Sequence, residues 1–377
     1  MLFFYLPITA IRDDLDMRLI LLFMISMWLS IGSAYADFHI EQIGPDLSHP
    51  WGMDIVDDRT VLVTTREGQL YQIDLKTGAS HQIHNLPEVA HFGQGGLLDV
   101  AIKGDTLFLC YAKPIGGLVA TAIEKARLEN HQLTGRMTIF TSNRASGSAH
   151  HFGCRLALQD GMIYASFGDR GARYFAQKPA YHDGSIIRIN QDGSVPDDNP
   201  RLKGWAEGIF SIGHRNPQGM AIHPETGAIF THEHGPQGGD EVNIITKGGN
   251  YGWPLVSHGK EYGTDKAVSK LTTHPDMVDP IWVWVPSIAP SGMAFYPQDA
   301  AMFPDYQDSL LIGSLKFKRL YQLRFDETGK VIDETILLEG TLGRIRDVAV
   351  TEEGAILILN DANVKAQPSG GLYRLTP

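Results

Sequence analysis

After residue 37, short apolar strands alternate with polar turns, and one strand–turn–strand pattern recurs six times. In each copy an apolar strand of the Gly-Met-Ala-Ile type is followed by a turn and a second strand rich in β-branched and aromatic residues. A recurring strand unit with loops of unequal length predicts an all-β, six-bladed β-propeller over residues 37–377. A pair of β-sandwiches is the alternative, but it does not explain six copies of one pattern. The equivalent first-strand positions are assigned as Met53, Leu98, Leu156, Met220, Met293 and Val348.

The short strand FHIEQIG, which begins at Phe38, is predicted to complete the last blade and close the ring. Propellers carry their functional loops around the central channel at one end. Residues just before each first strand, or just after each second strand, are therefore expected to converge. The candidates at such places are Gln94, His151, Arg215, His234, Lys316 and Arg344.

Composition and charge narrow the class of ligand. Hydrophobic residues make up 43% of the chain and charged residues 20%, which indicates an ordered globular protein. The formal net charge is -11 and no basic run is present. A nucleic-acid partner is not expected, because phosphate binding needs a clustered cationic surface.

The first 36 residues have the pattern of an export signal. Residues 19–31 are apolar, Arg18 precedes them, and a small-x-small cleavage pattern ends at Ala36. Met17 is the expected start, because the acidic residues before it would spoil a positive n-region. The alternative is an uncleaved membrane anchor, although the apolar run is short for a span. We therefore expect a periplasmic protein without stable membrane insertion.

The chain has two cysteines, Cys110 and Cys154. In an oxidising compartment they could pair. Cys110 lies in the apolar run LFLCYA, where a buried free thiol is equally natural. The sequence leaves both alternatives open.

Several residues have the chemistry of an active site. His151 precedes a first strand, where a neutral imidazole could accept a proton, although it could also be an ordinary loop histidine. Arg215 and Asn216 precede Pro217 and suit a carbonyl or carboxylate ligand. A structural salt bridge is the alternative for Arg215.

A second group of candidates is cationic. Arg344 and Arg346 are two apart, so both side chains leave the same strand face and require an anion between them. Lys316 lies at the corresponding place one blade earlier. Its neighbours Lys318 and Arg319 allow the alternative of a solvated charge run. Isolated cations without a basic surface predict a small ligand that carries several carboxylates.

A third group favours a hard metal ion. The Gly235-Pro236 turn exposes backbone carbonyls, and Ca²⁺ prefers such oxygens together with one or two carboxylates. Glu241 follows this turn, and Tyr251 in the next Gly-rich turn could add its carbonyl. A plain surface pair of Asp240 and Glu241 is the alternative.

Seven motifs in this order resemble the soluble quinoprotein aldose and glucose/sorbosone dehydrogenases. They are HFGCRL with FGDRG, GHRNPQGMA, EHGPQGGDEVN, KGGNYGWP, APSGMAFY, SLKFKRLYQL and GRIRDV. The resemblance runs from about Ile43 to the C-terminus. It implies a six-bladed propeller that holds pyrroloquinoline quinone (PQQ) next to Ca²⁺ at the channel mouth.

The resemblance also implies roles for individual residues. His151 matches the general base that takes the C1 hydroxyl proton of an aldose, while hydride passes to PQQ and a lactone forms. Arg215 matches the residue that stabilises charge on the quinone, and Ca²⁺ polarises it. The implied cofactor contacts are Gln94, His151, Arg215, Asn216, Gly235, Pro236, Lys316, Arg344 and Arg346. The implied calcium ligands are Gly235, Pro236, Glu241 and Tyr251.

The sequence departs from the glucose-specific members at two places. His234 stands where those have glutamine, and Val285 replaces an aromatic residue of the sugar-stacking wall. We expect Trp282 or Trp284 to fill part of that space, and a broad-specificity aldose dehydrogenase.

Two rival functions are weaker. A Ca²⁺-dependent propeller lactonase or esterase would have acidic residues and amides, not Lys316, Arg344 and Arg346, at the channel. A non-catalytic binding propeller should have lost His151 or the Arg215-Asn216 pair. The expected partners are an aldose and an external electron acceptor, and the expected oligomeric state is a monomer or homodimer.

Overall fold

A computed structural model of the chain describes residues 38–361, 368 and 370–377, and it confirms the all-β propeller. Within these residues, 24 strands form six antiparallel four-stranded sheets. The described helical segments are two 3-10 helices, Arg173–Gln177 and Pro304–Tyr306. No helix in the described part is long and apolar enough to cross a membrane. The predicted signal peptide, residues 1–36, lies outside the described residues.

Each sheet is one blade, and β1 (His39–Leu47) belongs to the sixth. The first blade consists of β2 (Pro50–Asp57), β3 (Thr60–Thr65), β4 (Gln69–Asp74) and β5 (Ser80–Gln82). The second consists of β6 (Leu97–Lys103), β7 (Thr106–Ile115), β8 (Leu118–Glu129) and β9 (Gln132–Thr141). The third consists of β10 (Gly153–Gln159), β11 (Met162–Phe167), β12 (Ser185–Asn190) and β13 (Ile209–Ile212). The fourth blade consists of β14 (Pro217–Ile222), β15 (Ile229–Glu233), β16 (Asp240–Ile244) and β17 (Trp282–Trp284). The fifth consists of β18 (Pro290–Phe295), β19 (Leu310–Ser314), β20 (Arg319–Phe325) and β21 (Val331–Glu339). The sixth consists of β22 (Ile345–Val350), β23 (Ile356–Asn360) and β24 (Gly370–Thr376) together with β1.

The blades form a closed ring. The innermost strands β2, β6, β10, β14, β18 and β22 contact one another in that order, and β22 also contacts β2. The N-terminal strand β1 pairs antiparallel with the C-terminal strand β24, with His39 opposite Thr376. The prediction that FHIEQIG completes the last blade is therefore confirmed.

The second strand of each blade is buried on both faces. In β3 (TVLVTT) and β23 (ILILN) nearly every residue is buried, because neighbouring blades cover both faces of each sheet. Apolar clusters therefore lie between blades. In one of them Phe108 of the second blade and Ile187 of the third belong to the same buried group.

Every innermost strand carries a register shift near its start, at the same level of the ring. In β22 the shift falls between Ile345 and Asp347, and Val348 then pairs with Ile358. In β6 it falls between Leu97 and Asp99, and Val100 pairs with Leu109. The assignment of Leu98 as the equivalent position is therefore wrong by two residues. Leu98 and Val100 are both apolar and fit the pattern equally well, and the pattern does not reveal the bulge.

A buried ion cluster joins three innermost strands at this level. The Arg155 guanidinium donates to Asp99 at 3.1 Å and to Asp347 at 2.8 Å. Gly52 and Gly292 leave the space for these carboxylates, since a Cβ at either position would lie within 2.4 Å of a carboxylate oxygen. The cluster stabilises the ring only as a complete set, because removing one partner would leave an uncompensated buried charge.

The two cysteines form a disulfide between blades. Cys110 on β7 and Cys154 on β10 have Cα atoms 5.5 Å apart, and both side chains are fully buried. Of the two alternatives left open by the sequence, the paired form is the one in the structure. Cys154 lies next to Arg155, so the disulfide and the ion cluster both join the second blade to the third.

We predict that replacing both cysteines by alanine lowers the free energy of unfolding by about 4 kcal/mol. The cysteines are 44 residues apart, and without the cross-link the unfolded chain gains conformational entropy of about this magnitude. Denaturant titrations of the oxidised wild type and of the Cys110→Ala, Cys154→Ala variant measure it. A reducing agent should shift the midpoint of the wild type but not that of the variant. Equal midpoints for all samples would show that the disulfide does not stabilise the ring.

Candidate active site

One mouth of the channel holds a cavity of about 650 Å³ that is lined by all six blades. Segments that lead into the innermost strands, or follow the second strands, supply these side chains, as expected for a propeller. Six candidates from the sequence line it: Gln94, Asn216, His234, Lys316, Arg344 and Arg346.

Two cations of this cavity were not predicted. Arg66 follows the second strand of the first blade, which is one of the places that the rule selects, and its guanidinium donates to the Gly93 carbonyl at 2.7 Å. Lys318, for which the sequence left the alternative of a solvated charge run, also lines the cavity. Its neighbour Arg319 does not, and instead pairs with Glu339.

The cavity is strongly cationic. Its described lining contains Arg66, Lys316, Lys318, Arg344 and Arg346 against one carboxylate, Asp361. The pKa of Arg346 is lowered to about 9, chiefly by burial; Asp361 opposes this shift, and the charges of Arg344 and Arg66 add to it. The Nε of Arg344 is buried without a hydrogen-bond partner. Converging cations that include such an unsatisfied donor are suited to an anionic ligand with several acceptor oxygens.

His151 lies beside this cavity and not among its lining residues, although the next two residues do line it. Its backbone N–H donates to Gln94 Oε1 at 2.8 Å, and its ring Nδ1 lies 2.7 Å from Asp169 Oδ1. Asp169 also accepts from the Trp253 indole N–H at 2.7 Å. Trp253 and the Asp169 carboxylate therefore hold the imidazole in one orientation.

The electrostatics favour a neutral His151. Burial lowers its pKa below the usual 6.5, and the opposing effect of Asp169 is smaller. For Asp169, burial alone would raise the pKa, but the hydrogen bond and charge of His151, together with Arg215, lower it. An ionised Asp169 holds the proton on Nδ1, so Nε2 is the acceptor.

Asp169 was missed as a functional residue, although its motif FGDRG was noted. The local backbone brings it close to His151. At Gly168 a Cβ would lie 2.3 Å from the His151 carbonyl oxygen, so only glycine allows the two segments to approach this closely. The sequence feature that could have identified Asp169 is an Asp beside a glycine directly after the second strand of a blade.

A buried relay positions Arg215 and Asn216. Glu233 Oε2 accepts from the backbone N–H groups of both residues, and Glu233 Oε1 contacts His214 Nδ1 at 3.0 Å. Arg215 lines a smaller neighbouring cavity, where its guanidinium donates to the His234 carbonyl at 2.8 Å. It also lies 5.3 Å from the centre of the Trp253 ring.

His234 lines both cavities and is uncharged. Burial lowers its pKa to about 3, although its hydrogen bond to the Pro290 carbonyl opposes the shift. Its Nε2 donates to that carbonyl at 2.6 Å. His234 is therefore a neutral wall between the two cavities.

The smaller cavity, about 10 Å³, brings together three of the four predicted metal ligands, Gly235, Glu241 and Tyr251, with Glu233. Glu233 and Glu241 are direct cross-strand partners in β15 and β16. Burial raises the pKa of Glu241 well above its usual value, and the charge of Glu233 raises it further. Like charges placed opposite each other are unfavourable unless a cation or a proton neutralises them.

Pro236 is not brought into this cavity, and its carbonyl accepts the Lys260 N–H at 2.8 Å. Within the described residues, no group of three or more His, Cys, Asp or Glu side chains is arranged to hold a metal ion. A cation here would need main-chain carbonyls in addition to Glu241.

The predicted sugar-stacking role of Trp282 or Trp284 is wrong. Both indole N–H groups point to Glu334, with Trp282 Nε1 at 3.0 Å from its carboxylate. Both rings pack in the apolar cluster between the fourth and fifth blades. The alternation along β17 did not reveal that the neighbouring blade provides an acceptor for these N–H groups.

Comparisons with known proteins agree with this architecture. The aldose sugar dehydrogenase YliI of Escherichia coli is 34% identical, over 94% of this chain and 97% of its own. The apo-form crystal structure of the soluble E. coli aldose sugar dehydrogenase has a TM-score of 0.83 at 34% identity and covers 90% of this chain and 99% of its own. The PQQ-bound aldose sugar dehydrogenase of Streptomyces coelicolor has a TM-score of 0.74 at 25% identity and covers 90% of this chain and 98% of its own.

The family model described as Glucose / Sorbosone dehydrogenase matches residues 47–374, which includes every candidate residue above. The resemblance deduced from seven motifs is therefore confirmed along nearly the whole described chain. This protein belongs to the glucose/sorbosone dehydrogenase family.

Proposed function

We propose that this protein is a PQQ-dependent aldose sugar dehydrogenase that oxidises the C1 hydroxyl of aldoses to the lactone. One observation carries the proposal: five cationic side chains from three blades converge on a cavity beside a neutral histidine that is oriented by a carboxylate. The membership of the family and the PQQ-bound state of the Streptomyces relative support it.

The donor set of the large cavity fits PQQ. This cofactor is a small tricarboxylate, and Lys316, Arg344 and Arg346 would bind its carboxylates, with Gln94 and Asn216 as neutral donors. The unpaired Nε of Arg344 supplies a buried donor that such a ligand would satisfy. Bound there, PQQ would supply the acceptor for two electrons and the C1 hydrogen.

His151 is the proposed general base. Its Nε2 takes the proton of the C1 hydroxyl, and Asp169 stabilises the imidazolium that forms. Arg215, held by the relay through Glu233, stays in place to stabilise negative charge as it develops. Both residues are positioned before substrate arrives, so little reorganisation accompanies the reaction.

The smaller cavity fits Ca²⁺. The donor atoms that line it are oxygens, and its volume is about that of one water molecule. A bound cation would neutralise the paired carboxylates of Glu233 and Glu241. Glu241 would be the carboxylate ligand, with Gly235 and Tyr251 as carbonyl donors. Pro236 is retained as a ligand only if its carbonyl uses its second lone pair. Calcium would supply Lewis acidity near the cofactor.

We infer a cleavable leader over residues 1–36 and a periplasmic enzyme comprising residues 37–377 as one catalytic domain. The reduced cofactor would pass its electrons to an external acceptor.

The apo-protein reconstituted with PQQ and Ca²⁺ should reduce an artificial dye with aldoses, and neither component alone should suffice.

Arg344→Ala should weaken PQQ binding by about 10- to 100-fold, because charge-assisted hydrogen bonds are lost. Titration of PQQ by calorimetry measures this without turnover. Arg324→Ala, at an exposed arginine of the fifth blade, is the control and should bind normally. Unchanged affinity of Arg344→Ala would place the carboxylates elsewhere.

Asp169→Asn should lower kcat by about 10²- to 10⁴-fold with PQQ affinity retained, because the amide no longer fixes the acceptor tautomer of His151. In the wild type, the pKa of His151 lies below 6.5, so kcat/KM should persist as the pH falls through 6.5 and decline only in more acidic solution. The pH profile of each protein provides the measurement. A wild-type acid limb above pH 6.5 would contradict the neutral histidine.

Glu241→Gln should abolish the thermal stabilisation that Ca²⁺ gives, because the amide cannot neutralise the ion. Melting curves in Ca²⁺ and in chelator provide the measurement, independent of activity. Glu353→Gln, on a turn of the sixth blade, is the matched control. If Glu241→Gln keeps the full calcium response, the ion binds at another place.

A further inference from the structure

One large aromatic side chain at the active site has no role in the proposed chemistry. Tyr262 is 66% exposed, and its hydroxyl lies 3.4 Å from an Nη of Arg215. The Arg215 guanidinium carbon is 6.0 Å from the centre of the Tyr262 ring and 5.3 Å from that of Trp253. Tyr262 therefore stands at the solvent edge of the residue proposed to stabilise developing charge.

Hydrogen bonds anchor the loop that carries Tyr262 on both sides of this residue. Lys260 forms an isolated bridge with Ala267, and the Lys260 N–H donates to the Pro236 carbonyl at 2.8 Å. The side chain of Gln237 donates to the carbonyls of Glu261 and Thr264. The backbone next to Tyr262 is thus attached to the turn that lines the smaller cavity.

A side-chain pair fixes the same loop to the third blade. Arg173 binds the Glu261 carboxylate through two hydrogen bonds of 2.5 and 3.0 Å, and its guanidinium lies 5.6 Å from the Trp253 ring. Trp253 in turn donates to Asp169. An exposed aromatic ring held this way loses little conformational entropy on binding, which is how tyrosines serve as contact surfaces.

The surroundings explain why an aromatic residue is needed here. Val285, at the position where the stacking aromatic was expected, is 65% exposed and lies against Gly238 of the same turn. Its aliphatic side chain offers no flat surface, and Trp282 and Trp284 are turned away to Glu334. A pyranose presents an apolar C–H face that packs on an aromatic ring, while its hydroxyls require polar donors such as Arg215.

We propose that Tyr262 is the stacking surface for the aldose ring and a specificity-determining residue of the enzyme. This inference rests on the proposed function. It assigns the sugar to the face of the mouth formed by the loop around Tyr262, with the C1 end directed towards His151 and Arg215.

The test is steady-state kinetics of the holoenzyme on a panel of aldohexoses and aldopentoses, with the dye as acceptor. Tyr262→Ala should raise KM for the sugars by about three- to tenfold with kcat changed less than twofold, as expected for a lost aromatic contact. Tyr262→Phe should behave like the wild type, because the ring remains. Tyr174→Ala removes an equally exposed tyrosine, 64%, from the 3-10 helix, and should also behave like the wild type.

Each contrary outcome has a distinct meaning. An unchanged sugar KM in Tyr262→Ala, or a change confined to the KM for the dye, would overturn the stacking role while leaving the proposed function intact. Equal effects of Tyr262→Phe and Tyr262→Ala would show that the hydroxyl contact with Arg215 matters, not the ring. An equal effect of Tyr174→Ala would show that the response is not specific to Tyr262. No turnover of any aldose by the wild type would overturn the proposed function and this inference together.

Discussion

The antiparallel pairing of β1 with β24 is the constraint on which the site depends. The cavity takes side chains from six blades, so no two or three blades could assemble it alone. Closure fixes the distance between the first and sixth blades and thereby brings Arg66 near Arg346. The ion cluster around Arg155 repeats this constraint inside the channel, because it links the second, third and sixth blades. Binding side chains are thus held by a scaffold whose rigidity comes from its ends being joined.

Two cavities of opposite character share a wall at the mouth. The large one is lined by cations, and the small one places Glu233 opposite Glu241. The neutral His234 lines both cavities, and Arg215, whose backbone Glu233 holds, lines the small one. An anion and a cation bound in these places would each reduce the electrostatic cost of the other.

The sequence allowed the fold to be predicted because a ring of six similar blades is the simplest architecture that accounts for six copies of one pattern. It also placed six of the polar side chains that line the cavity, since the ends of strands in a propeller must converge. It did not reveal Asp169, because an acidic residue in a turn has no periodic signature and its partner is 18 residues away. It misassigned Leu98, because a bulge changes register without changing composition. It also misjudged the tryptophans of β17, whose orientation depends on Glu334 in the neighbouring blade.

The backbone around His151 shows how the scaffold selects one reactive atom. The residue has φ of 53°, which is unfavourable for a side chain other than glycine or asparagine and persists only when its surroundings enforce it. Here its N–H is bound to Gln94, its carbonyl accepts the Arg170 N–H at 3.2 Å, and its Nδ1 is bound to Asp169. Among the described residues none is hydrogen-bonded to Nε2. Because every other polar group of His151 is engaged, Nε2 is the one acceptor that this residue, as the proposed base, would offer to a substrate proton.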